Sequence, residues 1–212
     1  MHDLSWLLTR SYTLPSALKL VGDRYQLEAR QRVCVSRCAC SDQQRTRRAI
    51  HQLRPGALSG QAIWIDGYNV LTTLEAALSG GVVIRGRDQS LRDMASMHGS
   101  YRQVTETVQA VELLGRFLNE WKISPSTWLL DQPVSNSGRL RSTLLATAAK
   151  NGWTWAVDLV ADPDPILMRV SDCIASADSQ ILDQTQAWVS LAEEVITASI
   201  PTAWILDLSL PH

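Results

Sequence analysis

The stretch Ile63-Trp64-Ile65-Asp66-Gly67-Tyr68-Asn69-Val70-Leu71 decides the fold. An apolar run closes on an acid, then Gly, then a polar pair, and apolar residues resume. A short β-rich run ended by Asp-Gly reads as a buried strand reaching a turn. Helical spacing follows at Val70, Leu74, Ala77 and Leu78. Asp66 is therefore expected at the carboxyl end of a strand in an α/β sheet, the place where such sheets hold ligands.

Other apolar runs also close on aspartate: Trp128–Asp131, Trp155–Asp158, Ile174–Asp178 and Trp204–Asp207. In one parallel sheet these carboxylates would gather along one edge. Clustered carboxylates repel one another, and a hard divalent cation is the usual means of holding them together. Capping of the next helix explains any single aspartate as well; it explains the whole set poorly.

Composition sets the outer bounds. The 212 residues suffice for one ordinary domain and a small one, and 45% hydrophobic content suits a globular core. No apolar run approaches the length of a membrane span. The start lacks the basic and apolar regions of a signal peptide. Four cysteines, three of them close together, do not make a secreted disulfide framework. The expectation is a cytoplasmic protein with reduced thiols. The net charge of −1 hides an asymmetry: residues 1–55 carry 10 Lys+Arg against 4 Asp+Glu, and residues 56–212 carry 10 against 17. A basic unit at +6 and an acidic one at −7 point to two modules with different partners.

Residues 1–55 read as a small helical domain. Leu4, Leu7 and Leu8 suit a first helix, Leu14 to Gly22 a second, and Leu27 to Cys40 a third. Helix, Gly turn and Arg-bearing helix are compatible with a helix-turn-helix, as they are with any small bundle. Cys34, Cys38 and Cys40 with His51 do not match the paired spacing of zinc sites, and Cys34 and Cys38 fall one helical turn apart, as core cysteines would. Arg45-Thr46-Arg47-Arg48 reads as a solvated helix face or linker. Arg54-Pro55-Gly56 marks the boundary, with an α/β domain over 60–212.

Within that domain strands are expected at Val82–Ile84, Thr127–Asp131, Trp153–Asp158, Cys173–Ala177 and Ala203–Leu206, with helices between most of them. The predicted fold is thus α/β, a largely parallel central sheet flanked by helices and preceded by an all-α module. The stretch from Arg85 to Arg102 reads as a long irregular loop. Its Arg85, Arg87, His98 and Arg102 are candidates to cradle a phosphate beside the acidic edge; Arg–Asp pairing within the loop is the competing account.

Ile65-Asp66-Gly67-Tyr68-Asn69-Val70 resembles the opening motif of the NYN branch of the PIN-like nuclease superfamily. Leu130-Asp131 before a Ser/Gly turn resembles its second acidic strand end. Asp162-Pro163-Asp164-Pro165-Ile166 resembles its acidic turn, and Ala175-Ser176-Ala177-Asp178-Ser179 its late strand ending in Asp. The whole chain also resembles an uncharacterised prokaryotic family with a small N-terminal domain before a PIN-like domain. The resemblance implies a Mg²⁺- or Mn²⁺-dependent phosphodiesterase acting on nucleic acid, RNA before DNA. It implies Asp66, Asp131 and Asp178 as catalytic residues. Asp66, Asp131, Asp164 and Asp178 would ligate metal, with Asp162 as an alternative to Asp164, and Asn69 would orient water or a phosphate oxygen. Three departures stand out: proline flanks Asp164 on both sides, Glu106 and Glu112 compete for the acidic position on the helix after the second strand, and the Arg/His loop at 85–102 has no counterpart. A non-catalytic nucleic-acid-binding protein and a phospho-ligand-binding domain remain as alternatives, with no membrane partner and with a homo-oligomer left open.

Overall fold

The computed structural model describes residues 1–94 and 104–209. Four helices come first: α1 (His2–Thr9), α2 (Leu14–Arg24), α3 (Ala29–Cys38) and α4 (Asp42–His51). Leu4, Ala17, Val21 and Ala39 form their common core. A 3₁₀ turn at Pro55–Leu58 leads into β1 (Ile63–Asp66) and α5 (Gly67–Leu78). Then follow β2 (Val82–Arg85), β3 (Leu91–Asp93), α6 (Glu106–Glu120), β4 (Ser126–Asp131), α7 (Ser137–Asn151) and β5 (Trp155–Val160). The chain continues through α8 (Asp164–Leu167), β6 (Cys173–Ala175), α9 (Ser179–Gln184), β7 (Trp188–Val189), α10 (Leu191–Ser199) and β8 (Trp204–Asp207).

The main sheet has five parallel strands in the order β5-β4-β1-β6-β7. Period-2 alternation sends Ile63, Ile65, Trp128, Leu130 and Val189 to one face, against Leu71, Leu74 and Leu114 from the helices. Leu129, Ile174 and Trp188 point to the other face, against Leu167, Ile181 and Leu182. Both faces are covered, as a parallel sheet requires. From β1 the chain moves outward to β4 on one side; from β6 it moves outward to β7 on the other. The strand order therefore reverses between β1 and β6, and the crevice at their carboxyl ends is where an open α/β sheet binds its ligand.

Three expectations need correction. β2 does not join the parallel sheet: it pairs antiparallel with β3 and parallel with β8 in a separate three-stranded sheet. The supposed irregular loop after Arg85 thus contains a hairpin strand, while His98 and Arg102 lie outside the described residues. The common edge of five aspartates is also smaller than expected. Asp207 ends β8 in the second sheet, and Asp158 sits mid-strand in β5, opposite Leu129 and exposed. Finally, Arg48 is not solvated. Its guanidinium is buried between Asp88 at 2.5 Å and Asp183 at 2.7 Å. A charged side chain is this deeply buried only when paired, and no local pattern announces its partners when they lie 40 and 135 residues away. No helix among the described residues is long and apolar enough to cross a membrane.

Candidate functional site

Asp66 ends β1 and Gly67 opens α5 directly behind it. A Cβ at Gly67 would stand 2.9 Å from the Leu129 carbonyl oxygen and 2.5 Å from Leu130 Cδ2. Glycine here lets the start of the helix lie against β4, so the Asp-Gly pair is a packing device as well as a turn. Register sets the depth of the site. Asp66 stands opposite Leu129, so Asp131 lies two residues further along its strand. Ile65 stands opposite Ala175, which carries Asp178 beyond Asp66 on the other side. Asp66 is buried between the extended end of β4 and the turn that follows β6.

The turn after β6 closes over it. Ser176 Oγ donates to Asp66 Oδ2 at 2.7 Å and accepts from the Asp178 N–H at 3.0 Å. Asp178 caps α9, accepting from the N–H groups of Gln180 and Ile181. Asn69, one turn into α5, accepts the Ala177 N–H on its Oδ1 at 2.8 Å. That bond fixes the amide orientation and commits Oδ1, so what the Asn69 amide still has to offer is its Nδ2 hydrogens. Asp164 opens α8 across the crevice, its N–H held by Asp162 Oδ1 at 3.1 Å.

The electrostatics are one-sided. Burial pushes the Asp66 carboxyl up to about 7, and the charges of Asp164 and Asp178 push the same way against the Ser176 hydrogen bond. Burial together with Asp178, Asp162 and Asp131 raises Asp164 to about 6. Asp131 is raised too, by burial first and by Asp162. Five carboxylates thus act on one another at the strand ends. Among the described residues, however, no three His, Cys, Asp or Glu side chains are gathered closely enough to make a finished metal site. In chemistry the set fits a hard divalent cation: the donors are all oxygen, and the neighbouring charges acting on Asp66 are negative.

A cleft of about 590 Å³ opens in front of Asp66, Asn69, Asp164 and Asp178. Its far wall comes from the N-terminal helices, through Leu14 and Arg37 among others, and its side from Arg92 and Asp93 of β3. Asp131 and Asp162 belong to the acidic group electrostatically but do not line this cleft. Glu106 and Glu112 do not line it either.

The two described arginines expected to meet a phosphate are engaged elsewhere. Arg85 Nη1 pairs with Glu193 on α10, and its Nε lies 3.7 Å from Asp207. Arg87 pairs with Asp42 at 2.5 Å and donates to the Cys40 carbonyl at 2.9 Å. Of the arginines that line the cleft, Arg37, Arg48 and Arg92, the one bonded to the chain beside Asp178 is Arg92, whose Nε donates to the Ala177 carbonyl at 2.9 Å. It was not foreseen, because Arg92 lies on a three-residue strand too short for periodicity to register. Ser176 carried a weak signal, as a serine two residues before a strand-ending Asp is placed for a local side chain–backbone bond.

Fold and cleft together define a parallel α/β protein with an acidic crevice at its topological switch point, roofed by a helical module. The chain belongs to the family described as Domain of unknown function (DUF5616), whose model matches residues 55–194. A second family model, described as Protein of unknown function (DUF434), matches residues 1–49. The uncharacterized protein MJ0935 of Methanocaldococcus jannaschii is 32% identical over 141 residues, which cover 66% of this chain and 66% of that protein. No solved structure gives a significant match.

Proposed function

We propose that this protein is a Mg²⁺- or Mn²⁺-dependent phosphodiesterase acting on RNA, in the manner of the PIN-like nucleases whose motifs it resembles. One observation carries the reading. Asp66 is buried at the switch-point crevice, its carboxyl is raised to about 7, and the charges acting on it are those of Asp164 and Asp178. An arrangement that costs this much to ionise is kept where a cation relieves it.

Asp66, Asp164 and Asp178 would hold the ion, with Asp131 and Asp162 completing the negative field around it. A bound Mg²⁺ or Mn²⁺ would supply a water of lowered pKa and charge stabilisation for the phosphate undergoing displacement. Asn69 donates from Nδ2 to a phosphate oxygen, because its Oδ1 is already committed to Ala177. Ser176 keeps Asp66 oriented by donating to one of its two oxygens. Arg92 contributes positive charge to the side of the cleft, although its own hydrogen bonds go to Asp88 and Ala177.

The test is a thermal melt of the full chain with EDTA and with millimolar Mn²⁺. Binding to the folded state alone raises the midpoint, by about 2.7 kcal/mol of stability at a hundredfold excess over Kd. Wild type is expected to shift and Asp66→Asn to shift little. If wild type does not shift, the metal-dependent reading falls.

A further inference from the structure

The N-terminal helices do more than roof the cleft. α4 grips both ends of α9, the short helix that Asp178 caps. Arg47 Nε donates to the Asp183 carbonyl at 2.6 Å, and its Nη2 reaches the Gln184 and Thr185 carbonyls at 3.3 Å, which satisfies the carboxyl end of α9. Arg48 Nε pairs with the Asp183 carboxylate at 2.7 Å, and Gln44 Nε2 donates to the other oxygen of that carboxylate at 2.7 Å. Arg48 Nη2 reaches the Ser179 carbonyl at 3.3 Å, in the first turn of α9.

A second limb runs through β3. Arg48 Nη1 and Arg92 Nη2 share Asp88 Oδ2, at 2.5 and 2.7 Å, while Arg92 Nη1 takes Asp88 Oδ1 at 2.8 Å. Arg92 Nε then holds the Ala177 carbonyl, one residue before Asp178. The side chains of Arg48, Asp88 and Arg92 are 2%, 1% and 8% exposed, so water does not substitute for the Asp88 limb, whereas Asp183 is 26% exposed. Buried groups of this kind take one geometry, because any other leaves a charge unpaired.

We infer that Arg48 is a positioning residue: through Asp183 and through Asp88–Arg92–Ala177 it fixes the segment carrying Asp178, so that the N-terminal helical module sets the geometry of the acidic site. The functional consequence rests on the metal-dependent reading proposed above; the positioning itself does not. The basic module is then part of the site and not a detachable nucleic-acid-binding unit.

The test uses the full chain, and Mn²⁺ alone as the probe. Arg48→Lys keeps the charge but cannot span Asp88, Asp183 and Ser179 with one nitrogen. Asp183→Asn is a milder variant that weakens one limb, and it serves if Arg48→Lys does not fold. Leu4→Ala is the control, since it loosens the N-terminal core without touching α9. All are measured well below their melting midpoints. Amide exchange at Gln180 and Ile181, whose N–H groups Asp178 caps, is followed in EDTA, and Mn²⁺ affinity is read by direct titration. Arg48→Lys, or Asp183→Asn to a smaller extent, is expected to speed exchange at both amides and to weaken Mn²⁺ binding roughly tenfold, as loss of outer supporting contacts does. Leu4→Ala is expected to change neither. Equal effects from Leu4→Ala and the network variants, or unchanged exchange in both network variants, overturn the inference. If wild type binds no Mn²⁺, the metal reading falls alone, and the exchange data still decide the positioning.

Discussion

Asp66→Asn in the metal-free protein should make the chain more stable, and by an amount that depends on pH. Burial and the charges of Asp164 and Asp178 raise the Asp66 carboxyl from 3.8 to about 7 in the folded state. An acid with a raised folded pKa is no burden below its unfolded value, where it is protonated in both states. As pH rises above about 4 the unfolded chain releases its proton while the folded one keeps it, and stability falls until pH passes about 7. The rise from 3.8 to about 7 corresponds to about 4 kcal/mol, an upper figure because the wild-type site can relax. Asparagine removes the titration, and its amide oxygen can still accept from Ser176. Urea unfolding in EDTA should therefore show Asp66→Asn close to wild type at pH 4, ahead of it at pH 6, and ahead by roughly 2–4 kcal/mol at pH 8. Saturating Mn²⁺ should reverse the order at pH 8, because the ion binds the carboxylate and not the amide. A variant less stable than wild type at pH 8 in EDTA, or a difference that ignores pH, would refute the reasoning.

Other expectations follow from the same packing. For Asp88, burial pushes the carboxyl up, but Arg92 and Arg48 outweigh it and hold it well below the usual range. Its stabilisation is thus present above about pH 4 and lost as pH falls towards its folded pKa; Asp88→Ala should cost about 3–5 kcal/mol at pH 7 and much less in strong acid, as read by denaturant unfolding. Gly67→Ala places a methyl against the Leu129 carbonyl oxygen, so it should cost about 1–3 kcal/mol in the same assay, and a change under about 0.5 kcal/mol would count against the close helix–strand contact. Among the aspartates, Asp164→Asn should lower metal-dependent RNA cleavage at least about tenfold, whereas Asp158→Asn, exposed and mid-strand, should leave it within about twofold.

The parts of the molecule legible in the sequence are those fixed by local pattern. Ile63–Asp66 shows its strand through an apolar run and its end through Asp-Gly, and Leu129 and Ile174 announce neighbouring strands the same way. Strand-end pattern alone puts five aspartates on one edge and the resemblance singles out Asp66, Asp131 and Asp178; of these, Asp66 and Asp178 line the cleft. What stayed hidden depends on contacts far apart in sequence. Arg48 sits in a run of arginines that looks solvated, and only the approach of Asp88 and Asp183 makes its burial tolerable. Composition alone points Arg85 and Arg87 towards a phosphate, yet Glu193, Asp207 and Asp42 claim them. The second sheet was missed because β2 and β8 each read as an ordinary parallel strand, and strand pattern does not say which sheet a strand joins. Asp207 was misplaced with it.

The most direct measurement of the central claim is cleavage of an unstructured RNA of mixed sequence by the full chain, in Mn²⁺ and in EDTA, for wild type and Asp66→Asn. Cleavage by wild type in Mn²⁺, abolished both by EDTA and by Asp66→Asn, is the predicted result. Cleavage that persists in EDTA or in Asp66→Asn, or its absence in wild type that binds both Mn²⁺ and RNA, would contradict it.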